Sequence, residues 1–230
     1  MTPFVKVLVG DRSCNGGDHR WSLPVQNEDG KWTPGEWHEH VGPLAILTAG
    51  FHLTRNPAFW WKEGAEAYAV EYEGALRDAN GELVVHLGNS ICCRRVRLTR
   101  RLTDSRLETY NIYRSGWHCL SGQIVAVAEG EAVVLAEDRV RVRAYGSAHV
   151  EAWGHAIVEA RGDVTVSAHE NSLIHSLSNQ MVRASGCALV FAHNSAQVQA
   201  FDKVRVCAFQ NASVEVHDEA RVIRHPTQAI

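Results

Sequence analysis

The chain has 230 residues, a formal net charge of −3 and an isoelectric point near 6.5. That length holds a proper core and one or two domains. Residues 1–123 carry 14 basic and 14 acidic side chains and the rest carry 9 and 12, so neither half has the basic excess of a nucleic-acid binder.

Phe4 to Val9 alternates and reads as a strand ended by Gly10-Asp11, before a loop over 11–20 that holds Gly16-Gly17-Asp18. Trp21-Ser22-Leu23-Pro24 is a short extended piece, and residues 27–37 are rich in turns. Residues 44–47 fit a strand or a short helix. Asn56-Pro57 opens a short helix over 57–62, with Pro at its first position. Residues 67–72 form a strand, 78–81 a turn, and 83–86 and 91–98 two more strands. Asp104 caps a helix over about 105–113. The segment Gly116 to Cys119 leads into a repetitive region and is suited to sealing the open end of that region.

From Ile124 to residue 227 the chain repeats every eight residues, giving thirteen octads such as VRVRAYGS, AHVEAWGH and AIVEARGD. The third position is Val in most octads and the fifth is Ala in ten of thirteen, from Ala128 to Ala208. The seventh is turn-like, as at Gly130, Asp138, Gly146 and Gly154. Alternation and then a turn is a strand signature, and eight is a poor multiple of the helical period. A closed barrel of thirteen strands encloses a lumen that Ala and Val do not fill. The expectation is therefore a mainly β protein: a small α+β head over 1–120, then a parallel β-solenoid over 121–230. Two octads per coil is the first choice and three the alternative. At about 4.8 Å per coil such a rod is roughly 30 Å long.

Trp21-Ser22-Leu23-Pro24, Pro34-Gly35-Glu36-Trp37, Gly50-Phe51-His52-Leu53-Thr54 with Pro57, the strand 67–72 and the stretch 94–99 occur in that order. Residues 4–103 thereby resemble a small α+β domain of unknown function found in phage and actinobacterial proteins. The octads are similar to bacterial and phage solenoid repeats of the form A-x-V-x-A-x-G-x. The first resemblance implies no activity; the second implies scaffold or binding roles.

His52, an aromatic on the next strand (Tyr68) and a carboxylate (Glu71 or Glu82) outline an ADP-ribosyltransferase-like site; the alternative is a structural His52 beside Trp60-Trp61. Arg94, Arg95, Arg97, Arg100 and Arg101 form the basic cluster, read either as a phosphate or nucleic-acid site with Trp60, Trp61 or Trp117 for stacking or as a charged edge strand. There is no Walker motif, no G-x-S-x-G and no HExxH. Six cysteines lack metal spacing and read as reduced thiols. No metal and no cofactor are expected. The solenoid histidines, His149, His155, His169, His175, His193, His217 and His225, read as solvated outward residues.

With two octads per coil, Ile157, Leu173 and Leu189 fall on successive coils of one wall, joined by Leu177 and Phe191. A gathered apolar patch marks an interface, here with a second subunit, with an unidentified protein or with the chain's own first 120 residues. No run of about 18 apolar residues is present, and MTPFVKVLVGDRS lacks a secretory apolar region, so a cytoplasmic, non-membrane protein is expected. The leading function is a non-catalytic accessory or scaffold protein. A transferase in the head and a nucleotide or nucleic-acid binder are the alternatives.

Overall fold

The computed structural model describes residues 2–16, 18–178 and 180–225; Gly17 of the first loop and residues 226 and 227 of the last octad lie outside them. The protein is mainly β, 49% strand and 4% helix. It divides into two compact units, Met1–Tyr110 and Asn111–Ile230.

In the first unit, β1 (Val5–Val9) pairs antiparallel with β2 (Arg12–Ser13). A separate hairpin joins β3 (Val25–Gln26) to β4 (Trp32–Thr33). Then come β5 (His38–Glu39), β6 (Phe51–Thr54), the single-turn helix α1 (Pro57–Trp60), β7 (Ala65–Ala75) and β8 (Ser90–Arg101). The pairings close on themselves. β1 bonds both β6 and β7, and both of these bond β8. One circuit of strands thus wraps a core of Phe4, Leu8, Trp21, Leu53, Tyr68, Ile91, Cys93, Val96 and Leu98.

Three expected elements are corrected by the structure. Residues 44–47 are neither strand nor helix but part of a tight turn. Ala45 and Ala49 exchange backbone hydrogen bonds, and Leu47 takes a left-handed φ of 67°. Residues 83–86 form no strand; Leu83 and His86 make isolated bridges to Arg77 and Ser90. The helix expected over 105–113 is α2 (Asp104–Glu108), with Thr103 rather than Asp104 at its N-cap. It stops because Asn111 turns left-handed (φ 59°) and the next two residues enter a sheet.

In the second unit, β9 (Ile112–Tyr113) and β10 (Trp117–Leu120) start the two walls. Each octad then adds one strand, from β11 (Val125–Ala128) and β12 (Val133–Ala136) to β22 (Ser213–Val216) and β23 (Arg221–His225). All wall pairings are parallel, and among the strands after β10 residue i pairs with i+16: Val133↔His149, Val134↔Val150, Ala136↔Ala152. Two octads therefore make a coil, and the β-solenoid runs about 7 turns from residue 112 to 225. It begins before residue 121 because Trp117 already pairs with Val133 and Ile112 with Val127. Gly116–Cys119 is thus not a seal; from Trp117 on it is the first rung of one wall, with Trp117 66% exposed.

The third and fifth octad positions fill a thin core: Val134, Ala136, Val150, Ala152, Val158 and Ala160 are all 0% exposed. Small residues allow the two walls to lie close, as a narrow coil demands. The seventh position makes the corners. Gly122, Gly130, Asp138, Gly146, Gly154, Gly162, Glu170, Gly186, Asn194, Asp202, Gln210 and Asp218 all have φ between 54° and 87°.

Candidate functional site

The first unit holds a cavity of about 690 Å³, a size suited to a small molecule. β1, β6 and two tight turns build it. Gly50 sets up β6 at φ 101°, where a Cβ would stand 2.6 Å from Cys92 Sγ and 2.7 Å from Leu44 Cδ2, so no larger residue fits. The turn from His86 to Ser90 closes by reciprocal backbone hydrogen bonds of 3.0 and 3.2 Å. At its tip, a Cβ on Gly88 would stand 2.5 Å from Trp60 Nε1.

Lys6 and His52 lie at the centre of the electrostatics. Lys6 is 7% exposed. Its Nζ donates to the His52 carbonyl at 3.1 Å and sits 4.8 Å from the Trp21 ring centroid. It is the one Lys or Arg in the lining, and among the described residues no carboxylate pairs with it. Burial pushes its pKa down to about 8, against smaller raising effects of Cys14 and Cys93. His52 Nε2 accepts from the Leu47 N–H at 2.9 Å, which leaves the ring proton on Nδ1. Burial first, then Lys6 and His86, lowers His52 to about 4. The His86 ring is 5.7 Å away, and both its nitrogens are buried without a hydrogen-bond partner among the described residues.

A second imidazole pair sits at the cavity's edge. His38 Nε2 accepts from the Ser22 N–H at 3.0 Å, so His38 Nδ1 carries the proton and donates to His19 Nε2 at 2.9 Å. Burial lowers the pKa of both rings; Lys6 adds to the effect on His19, and His19 to that on His38. These rings pack against Trp21 and Phe51, edge-on except for the tilted His19–Phe51 contact. Among the described residues no group of three His, Cys, Asp or Glu is placed to hold a metal ion.

The three residues of the transferase outline are not brought together. His52 lines the cavity, but Tyr68 is packed in the core and Glu71 lies on β7, its Oε2 2.6 Å from Arg97 Nη2. Glu82 is exposed in the turn after Asp78, which accepts its backbone N–H. The single carboxylate of the lining is Glu39, 4.0 Å from Arg95 Nε. The constellation failed because β7 and β6 face each other only across β1 and β8, with Tyr68 opposite Arg101 and His52 opposite Cys92.

Most of the arginine cluster is engaged within the sheet. Arg95 pairs with Glu73 at 2.7 Å, Arg97 with Glu71, and Arg101 with Glu66 at 3.7 Å, all across β7 and β8. Arg94 donates to the carbonyls of His40 and Gly42. Arg95 and Arg97 also lie over Trp37. Arg100 is exposed. Of the stacking tryptophans, Trp61 is buried, Trp60 donates to Ser90 Oγ, and Trp117 is exposed.

The solenoid wall matches the sixteen-residue arithmetic. Ile157 pairs with Leu173 and Leu173 with Leu189, all three half-buried, with Arg141 and Arg205 in register at the two ends. His175 stacks on Phe191 at 4.8 Å, and His193, Phe209 and His225 form a second stacked column beside it. Leu177 is opposite Arg161 and half-buried. On the other wall His169 stacks on Trp153 and bonds Ser185 Oγ, and Phe201 stacks on His217. Several solenoid histidines are thus ring-stacked rather than free in solvent.

Compared with protein-family models, curated proteins and solved structures, the chain matches none of them. The residues that sequence reasoning missed are Lys6, His19, His38 and His86. Lys6 carried one signal, a cation at an inward position of an otherwise apolar alternating strand. The others sit in turns and short strands with no periodic mark.

Proposed function

We propose that this protein is a non-catalytic scaffold or binding protein, an accessory protein of phage or bacterial origin, in which the solenoid self-associates and the head binds. The observation that carries it is the in-register ladder Ile157–Leu173–Leu189 on one wall. Reading along the ladder from Arg141 to Arg205 gives the same order of residue classes in both directions, as a two-fold interface requires. Packing two such walls about an axis near Leu173 buries the aliphatic centre and leaves the arginine ends at a solvated rim. The phage or bacterial origin rests on the resemblance of residues 4–103 and of the octads. A reducing, cytoplasmic setting is supported by six free cysteines. No helix among the described residues is long and apolar enough to cross a membrane. The scattered placement of His52, Tyr68 and Glu71 weighs against a transferase. The ion pairs of Arg95, Arg97 and Arg101 weigh against a nucleic-acid groove.

Light scattering on the purified chain tests the proposal. The expected mass is twice the 25.5 kDa of one chain, and Leu173→Glu, with an unchanged circular dichroism spectrum, is expected to be monomeric. A wild-type protein that stays monomeric at high concentration would overturn it.

A further inference from the structure

The head cavity holds a buried charge that self-association does not account for. An ammonium has three N–H donors, and Lys6 Nζ spends one, on the His52 carbonyl. It is nearly fully buried and lacks a carboxylate partner among the described residues. A buried cation is stable only when compensated, and the cation–π contact with Trp21 compensates it in part. Around it are further unspent polar groups. Among the described residues, the proton on His52 Nδ1 and both ring nitrogens of His86 have no partner. His19, whose Nε2 is occupied by His38, carries its own proton on Nδ1. The remaining lining includes the aromatic residues Trp21, Phe51 and Trp60. The donor set is positive and neutral, with Glu39 alone of opposite sign and drawn towards Arg95.

We infer that this cavity binds a small organic anion, whose carboxylate or phosphate seats on Lys6 with the imidazoles of His52 and His86 beside it, and whose flat apolar body lies against the aromatic wall. The anion supplies the counter-charge that Lys6 lacks. Histidine protons rather than a second cation fix its orientation, so the site discriminates by charge first and by shape second.

Calorimetric titration of the full chain tests this with benzoate and phenyl phosphate as probes and uncharged benzamide as the control. At least one anion is expected to bind saturably and about tenfold or more tightly than benzamide, the scale of a lost charge-assisted hydrogen bond. Tighter benzoate points to a carboxylate ligand, tighter phenyl phosphate to a phosphate ester. Lys6→Met, nearly isosteric, is expected to bring the anion down to the level of benzamide, and His86→Gln to weaken it less. The wild-type protein gives an independent readout. Cys14 and Cys93, which face Lys6, are raised by burial and stay neutral, and the imidazoles of His19, His52 and His86 in the lining and of His38 at its edge, all lowered, are neutral near pH 7. Anion affinity is therefore expected to fall as pH rises through about 8, with Lys6 discharging. Anions that bind no better than benzamide, or an affinity indifferent to both Lys6→Met and pH, would overturn the assignment.

Discussion

The Asp138 carboxylate accepts a hydrogen bond from the backbone N–H of Gly122, sixteen residues earlier, at 3.0 Å. The same link recurs at later corners: Glu170 to Gly154, Asp202 to Gly186, Gln210 to Asn194 and Asp218 to Asp202. A corner N–H points away from both walls and lacks a sheet partner, so the side chain of the next coil satisfies it. The octad's seventh position is thereby explained twice: as Gly, it tolerates the left-handed turn, and as Asp, Glu or Gln it also bonds the coil before it.

Replacing such a corner residue separates the two effects. Asp138→Ala loses the acceptor and keeps the left-handed backbone, at an expected cost of about 2 kcal/mol. Asp138→Gly loses the acceptor but relieves the strain, at about half that cost. Urea unfolding midpoints of the two variants check the order. Equal midpoints would mean that relief of the left-handed backbone contributes nothing.

Ser172 and Ser176 break the apolar pattern at the first and fifth positions. Both are 0% exposed, and neither hydroxyl has a hydrogen-bond partner among the described residues. A buried hydroxyl without a partner destabilises by about 1–3 kcal/mol. Ser176→Ala restores the residue found at Ala160 and Ala192, its neighbours in the column, and is expected to stabilise the solenoid by about 1 kcal/mol. Thermal melting of the variant against the wild type reads the effect.

Stability should vary with pH through two bases that folding desolvates. His52 is lowered from 6.5 to about 4 in the fold, so between those values the unfolded chain holds a proton that the folded chain does not, and stability falls as pH drops through that window. Lys6 is lowered from 10.5 to about 8, and by the same sign stability rises as pH climbs from about 8 towards 10.5. The buried thiols Cys14, Cys92 and Cys93, raised above their usual 9.0, act in the opposite direction at alkaline pH, because the folded chain keeps protons there that the unfolded chain loses. Urea midpoints should therefore show the acidic slope directly, and the Lys6 contribution as the difference between wild type and Lys6→Met, which shifts in favour of wild type as pH climbs from about 8 towards 10.5.

The Arg97–Glu71 pair is half exposed, with side chains 32% and 52% accessible. Pairs of this kind contribute roughly 0.2–1 kcal/mol. A double-mutant cycle with Arg97→Ala and Glu71→Ala is expected to return a coupling in that range. Because the sheet occupies these guanidiniums, gel shift with a single-stranded oligonucleotide at physiological salt is expected to show no retention by the wild-type chain.

The solenoid was legible from the chain alone because its physics is local and periodic. A residue every second position faces in, one residue in eight must turn, and sixteen residues return to the same wall. From those rules Ile157, Leu173 and Leu189 align, and His169 meets Trp153 and Ser185. The head offered no such period. Its closed strand circuit joins segments as distant as Val5 and Ala69, and only that closure places Lys6, from β1, against His52, from β6, and His86, from a turn. The same closure sends Tyr68 into the core and ties Glu71 to Arg97, against the sequence outline. Sequence determined the repeating unit, because each octad contains its own instructions. The cavity and its only partly compensated lysine were decided by tertiary structure, because no stretch of the head contains the neighbours that define them.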